Sequence, residues 1–187
     1  MEKSDEQLIT EYFEGDEEAL ALLVRRYLTP LYNFIYRLSG NAGDAEDIVQ
    51  EAFVKAWRHL KKFRRGANFK TWLFTIAHHT AIDHLRRRRR LVFSDFENGD
   101  AGNVLTDTLI DTESLPDELW RRAEDREYVE ALLLRLSPAF REVLYLRYNE
   151  ELTFDEIGGV LGKSIDTVKS QHRRALLLLR KLIDAPK

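Results

Sequence analysis

The chain has 187 residues, 44% hydrophobic and 33% charged, an apolar content that excludes wholesale disorder. It holds no cysteine, which excludes disulfides and thiolate zinc sites and points to a cytosolic, cytoplasmic home. No apolar stretch approaches a membrane span, and the start, MEKSDEQLITEYFEGDEE, is acidic and polar, so neither membrane insertion nor a secretory signal fits. The net charge of −3 conceals a segregation: residues 1–90 hold 16 Lys/Arg against 13 Asp/Glu, residues 91–120 hold 8 Asp/Glu and no Lys/Arg, and residues 121–187 hold 13 against 11. Two mildly basic blocks flank an acidic one, an arrangement that admits nucleic acid although the overall pI of 6.0 discourages it.

In chain order, Ser4-x-x-Gln7 is a capping box that opens a short helix to about Phe13. Gly15-Asp16 closes it and caps the next, whose apolar residues Leu20, Leu23, Val24, Tyr27, Leu31, Phe34, Ile35 and Leu38 keep helical spacing. Pro30 is expected to bend or divide that helix. Asp44 is expected to cap a helix to about Leu60, and a basic loop, KKFRRGANF, leads to another from about Lys70 through the arginines at 86–90. Residues 91–120 contain Asn98-Gly99, Gly102-Asn103 and Pro116 without a sustained period, so they read as a linker. Its length argues for two domains, and its apolar residues, such as Phe93, Phe96, Leu105 and Ile110, suggest docking on the chain itself or on a partner. A helix over about 118–135 follows, then Ser137-Pro138 as cap and first helical residue of a helix to about Tyr148. Thr153-x-x-Glu156 opens a helix that stops near Gly162, and Ser164 caps the last helix, to about Ile183. The expected fold is all-α: two small helical domains, 1–90 and 121–187, joined by the acidic linker 91–120.

The last two helices, TFDEIGGVLG and KSIDTVKSQHRRALLLLRKL, have the layout of a helix-turn-helix. Ile157, Val160, Leu161, Ile165 and Val168 are expected to form the small core between them. The second helix then offers Thr167, Lys169, Ser170, Gln171, Arg173 and Arg174: Arg suits guanine edges, Gln suits adenine, and Lys or Ser suits phosphate oxygens. The alternative is a pair of amphipathic helices with a solvated charged face; caps, turn and basic helix occurring together favour DNA. His172 shares a face with Val168, Ala175 and Leu179, which suits a packed histidine better than a base reader.

In the first block, DAEDIVQEAFVKAWRHL has a core stripe of Ile48, Ala52, Phe53, Ala56, Trp57 and Leu60. Its other face carries Asp47, Gln50, Glu51 and Val54, and spacing alone favours plain solvated charge there. Next, Phe63, Phe69, Trp72 and Phe74 interleave with Lys61, Lys62, Arg64, Arg65 and Lys70. Basic charge with exposed rings is how proteins hold single-stranded nucleic acid, at about 1–3 kcal/mol per stacked base. Some of these rings must be core, leaving one or two presented. Arg86 and Arg87, in the arginine run, suit phosphate, with a solvated helix end as the alternative. His79 and Asp83 lie one helical turn apart, as metal ligands often do, but His84 points away and no fuller ligand cluster is evident, so no metal site is assigned and no cofactor is implied.

DAEDIVQEAFVKAWRHL, then FKTWLFTIAHHTAIDHLRRRRR, then LTFDEIGGVLGKSIDTVKSQHRRALLLLRKL, in this order, resemble an extracytoplasmic-function sigma factor, a small sigma-70-type factor with regions 2 and 4 only. The resemblance covers nearly the whole chain. It implies a promoter-specificity subunit rather than an enzyme. Asp47, Gln50, Glu51 and Val54 would bind the β′ clamp coiled coil of core RNA polymerase, overriding the plain reading of that face. Arg64, Arg65, Asn68, Phe69, Lys70, Trp72, His79, Arg86 and Arg87 would melt and read the −10 promoter element, with an unstacked base held near the loop 64–69. Thr167, Lys169, Ser170, Gln171, Arg173 and Arg174 would read the −35 element as duplex, and the apolar surface of region 4 would meet the β flap. The linker, at −8, would mimic nucleic acid in the RNA exit path. An anti-sigma factor would cover these same faces. Three departures from the family pattern bear on promoter preference: His79 where asparagine is usual, Asp166 where glycine is commoner, and His172 where an aliphatic residue is usual. Two other readings compete. A conventional two-domain regulator has no need of DAEDIVQEAFVKAW, and a metal hydrolase using His79 and Asp83 lacks a nucleophile–base arrangement or a phosphate loop.

Overall fold

Seven α-helices are described in a computed structural model that covers residues 3–64, 66–93 and 132–183. They are α1 (Asp5–Phe13), α2 (Glu17–Ser39), α3 (Ala42–His59), α4 (Phe69–Phe93), α5 (Pro138–Tyr148), α6 (Phe154–Leu161) and α7 (Ile165–Ile183), with a 3-10 turn at Leu60–Lys62. No strand occurs among the described residues. The expected helix over 118–135 and most of the linker lie outside them, apart from helical residues 132–134.

Local chemistry sets most helix starts. Ser4 Oγ accepts from the Gln7 amide, and the Gln7 side chain accepts from the Ser4 amide, which completes the capping box. Asp16 accepts from the Glu18 amide at 2.9 Å. α3 starts earlier than its sequence suggests: Asn41, not Asp44, is the cap, accepting from the Asp44 amide at 2.9 Å. The Asp44 carboxylate turns instead to α4, where it meets Arg88 and His84. Pro30 does not divide α2, which runs through it because Tyr27, Leu31, Phe34 and Ile35 on both sides are buried against neighbouring helices. α4 continues to Phe93, three residues into the expected linker.

α1 to α4 pack around Leu8, Leu23, Leu31, Phe34, Ile35, Ile48, Leu73 and Phe74, all nearly inaccessible to solvent. α5, α6 and α7 form a second group, which packs through α5 on α2 and through α6 on α4. The buried residues Val143, Tyr145, Leu146, Ile157, Val160 and Val168 are continuous with the first core. A separate small cluster, Leu132, Leu136, Leu144, Ala175 and Leu179, ties α5 to α7. The two helical groups are therefore docked on each other.

Candidate nucleic-acid interface

The α6–α7 turn is a helix-turn-helix held by backbone geometry that needs glycine. Gly162 ends α6 in the left-handed region at φ 65°, where other residues are strained. A Cβ on Gly158 would lie 2.8 Å from the Lys163 carbonyl oxygen, so only glycine permits the close approach of helix and turn. Thr153 and Glu156 close their capping box, and Ser164 accepts from the Thr167 amide to start α7. Ile157, Val160, Leu161 and Val168 are buried between the helices as expected, whereas Ile165 stands 40% exposed.

Along α7, Thr167 and Lys169 are exposed, and Ser170, Gln171, Arg173 and Arg174 are half-buried. The Thr167 hydroxyl is shared with Ser164 at 2.9 Å, and Gln171 accepts from Lys163 at 3.3 Å. Lys169, Ser170 and Arg173 fall on one face of the helix, opposite buried Val168 and Ala175. His172 packs edge-on against Phe154 and shares a 2.8 Å hydrogen bond with the Tyr148 hydroxyl. Burial and the charge of Arg147 push its ring down to about 4, so it is a neutral packing group, as its face implied.

The second candidate surface begins before α4. Arg64 and Asn68 are exposed, Lys70 and Trp72 are half-buried, His79, Arg86 and Arg87 are exposed, and Arg65 lies outside the described residues. Phe69 departs from expectation: it is 4% exposed, packed on Tyr27, Phe63 and Trp72 with ring centroids 5.5 to 5.6 Å apart. In this arrangement its ring supports the loop, and the half-buried Phe63 and Trp72 are what the aromatic cluster presents. Asn68 carries a role that the sequence reading missed. Its Oδ1 accepts from the Thr71 amide and so caps α4. On the third surface, Asp47, Gln50 and Val54 of α3 face solvent, and Glu51 forms an i,i+4 ion pair with Lys55 at 2.8 Å. His79 and Asp83 are both exposed, and no group of three potential metal ligands gathers among the described residues.

The contacts between the two helical groups were not legible in the sequence. The Tyr145 ring stacks on Phe34 with centroids 5.9 Å apart, lies under the Arg37 guanidinium, and its hydroxyl donates to the Pro30 carbonyl at 3.0 Å. His78 of α4 faces Glu142 of α5 at 3.8 Å, both buried. Asn68 Nδ2 donates to Glu156 Oε1 at 2.7 Å, Thr71 Oγ1 to the same oxygen at 3.4 Å, and Lys70 pairs with the Glu150 carboxylate at 3.3 Å. Burial pushes the Glu156 carboxyl up, but the bonds from Thr153, Asn68 and Thr71 outweigh this and hold it below the usual range.

Comparison with known proteins agrees with this geometry. Residues 23–91 match the model for sigma-70 region 2, and residues 132–181 match that for sigma-70 region 4. The chain is 32% identical to the ECF RNA polymerase sigma factor SigW of Bacillus subtilis over 97% of each chain. It is 34% identical to the ECF RNA polymerase sigma-E factor of Escherichia coli, over 92% of this chain and 90% of that one. Among solved structures it is similar to CnrH in complex with the cytosolic domain of CnrY, at TM-score 0.66 and 25% identity over 99% of this chain and all of that one (100%). It is also similar to the sigma factor RpoE in complex with the anti-sigma factor NepR from Bartonella quintana, at TM-score 0.66 and 27% identity over 90% and 98%. The chain belongs to the extracytoplasmic-function family of RNA polymerase sigma factors. No helix among the described residues is long and apolar enough to cross a membrane.

Proposed function

We propose that this chain is a cytoplasmic promoter-specificity subunit that works by binding rather than catalysis. Core RNA polymerase takes it through the α3 face of Asp47, Gln50, Glu51 and Val54, which docks on the β′ clamp coiled coil. Residues 1–90 act as region 2 and residues 121–187 as region 4, with the acidic linker 91–120 in the RNA exit path. α7 enters the major groove of the −35 element, Lys169 and Ser170 holding phosphates and Arg173 reading a base edge. Leu177 and Leu178, both exposed, belong to the apolar surface offered to the β flap. Arg64, Asn68, Lys70, Trp72 and His79 hold the −10 strand once it is melted. Trapping that strand drives melting by mass action, because the complex binds the open state better than the closed one. An anti-sigma factor holds the subunit inactive by covering these faces; both structural relatives are complexes with a protein partner.

The observation that carries this reading is the pairing, in one chain of this family, of an outward acidic α3 face with a basic recognition helix. Reconstitution tests it. The chain is mixed with bacterial core polymerase, the complex is isolated by gel filtration, and transcripts from genomic DNA are sequenced. Co-elution with discrete new start sites is expected. Failure to co-elute, with tight DNA binding by the chain alone, would instead fit a conventional regulator. Two variants assign the faces. Glu51→Arg is expected to weaken polymerase binding with an unchanged circular dichroism spectrum, since Glu51 makes only a half-exposed pair with Lys55. Unchanged affinity would count against the clamp contact. Arg173→Ala is expected to cost about 1–3 kcal/mol in −35-dependent promoter binding. Equal activity of the parent chain on native and −35-scrambled promoters would remove that role.

A further inference from the structure

The proposed interfaces are not equally available in the folded chain. Asp47, Gln50 and Val54 stand open to solvent on α3. The entrance to the proposed −10 site, by contrast, is covered by the helix-turn-helix group. Lys70 Nζ lies 3.3 Å from the Glu150 carboxylate and also donates to the Glu150 carbonyl at 3.2 Å. Asn68 and Thr71 both donate to one oxygen of Glu156. Three neighbouring side chains of the loop and of α4 thus end on oxygens of the other helical group. These are the donor types that position a nucleic-acid backbone by binding its phosphate oxygens.

The covering carboxylates are held in place. Glu150 is only 6% exposed, and a carboxylate is buried at acceptable cost only when paired, here with Lys70. The second oxygen of Glu156 is fixed by its own helix, accepting from the Thr153 amide and hydroxyl at 2.8 Å each. This leaves the first oxygen aimed at Asn68 and Thr71. Behind them, Tyr145 on Phe34 and its hydrogen bond to Pro30 anchor α5 to α2.

We propose that the helix-turn-helix group is a removable cap on the −10 site: Glu150 and Glu156 take up the donors of Asn68, Lys70 and Thr71 in place of the backbone of single-stranded DNA, while the α3 face stays open to polymerase. The cap and the strand compete for the same groups, so strand binding requires the cap to leave. This inference rests on the assignment of Asn68 and Lys70 to −10 binding.

The test uses the full chain and the double variant E150Q/E156Q, in which glutamine keeps the size of each side chain and the capping acceptor at position 156. The probe is a fluorescein-labelled DNA single strand of randomised sequence, about 20 nucleotides long, followed by anisotropy. Hydrogen exchange at the amides of residues 68–71 reports on the cap directly. The variant is expected to bind the strand at least about fivefold more tightly and to exchange faster at those amides, with core polymerase affinity unchanged. A control, E151Q/D155N, removes the same charge from exposed positions that make no hydrogen bond or ion pair with α4 and is expected to leave both readouts as in the parent chain. Unchanged exchange and affinity in E150Q/E156Q would overturn the cap, and an equal gain in the control would reduce it to net charge. Adding K70A to the variant separates the two claims. Loss of the gain supports the inference. Persistence of the gain, or faster exchange with no gain at all, would mean that this loop is not the strand site, and the inference falls with that assignment.

Discussion

Phe34→Ala is expected to lower the unfolding free energy by about 3–5 kcal/mol. Phe34 is 1% exposed and touches both helical groups: Phe74 and His78 of α4, with ring centroids 5.4 and 6.4 Å away, and Tyr145 of α5 at 5.9 Å. Its removal opens a cavity at the point where the two cores join, and neither group can collapse into it without dragging the other. A domain of ordinary stability has only about 5–15 kcal/mol in total, so this one change consumes a large part of it. Urea unfolding of parent and variant measures the loss. Tyr145→Phe is the useful comparison, since it keeps the stack on Phe34 and deletes only what the hydroxyl bonds, the Pro30 carbonyl and the Glu150 side chain. It should cost about 0.5–1.5 kcal/mol. A loss below about 1 kcal/mol for Phe34→Ala would mean that the two groups do not share a core in solution.

The second large effect is a dependence on pH that appears only when one partner of a buried pair is removed. Burial pushes the Glu142 carboxyl up to about 7 from its ordinary 4.5, against the opposing charges of Lys163 and Arg141. Burial, helped by His79 and Lys163, pushes the His78 ring down to about 4 from its ordinary 6.5. The 3.8 Å contact is therefore a neutral pair in mildly acidic solution, not an ion pair. The raised carboxyl contributes stability that is fully present below 4.5 and is lost as pH rises through about 7. The lowered ring contributes stability that is present above 6.5 and is lost as pH falls through about 4. Between 4.5 and 6.5 the folded pair holds one proton on the carboxyl and the unfolded pair holds one on the ring, so the two trends cancel.

Glu142→Gln removes one side of that balance. The variant is expected to lose about 3 kcal/mol relative to the parent chain as pH falls from 6.5 to 4.5, because only the histidine then titrates. All other groups titrate equally in both proteins and drop out of the difference. Urea unfolding of the two chains across this range gives the result directly. Parallel pH profiles would show that the Glu142 carboxyl is not buried in the folded protein.

How far the sequence reached follows from the range of each interaction. The starts at Ser4, Asp16, Thr153 and Ser164 and the stop at Gly162 were legible because a cap is made by residues within four positions of one another. The amphipathic stripes of α2, α3 and α7 were legible for the same reason: helical spacing states which face is apolar. Even so, Asn41 took the cap expected of Asp44, since both are good caps and a contact with Arg88, 44 residues away, decided how Asp44 is used. The motifs over α3, α4, α6 and α7 carried the family, and with it the expected roles of the exposed faces.

What lies between the two groups belongs to tertiary structure alone. Glu156 reads in the sequence as half of a capping box, and only the docking of α6 on α4 gives its other oxygen to Asn68 and Thr71, 88 and 85 residues away. Phe69 has the spacing of a ring offered to a base, but Tyr27, Phe63 and Trp72 close around it. Periodicity shows that a face must be covered and leaves open which helix covers it. That choice rests on the summed fit of whole surfaces: here Tyr145 on Phe34, Glu142 on His78 and Glu150 on Lys70.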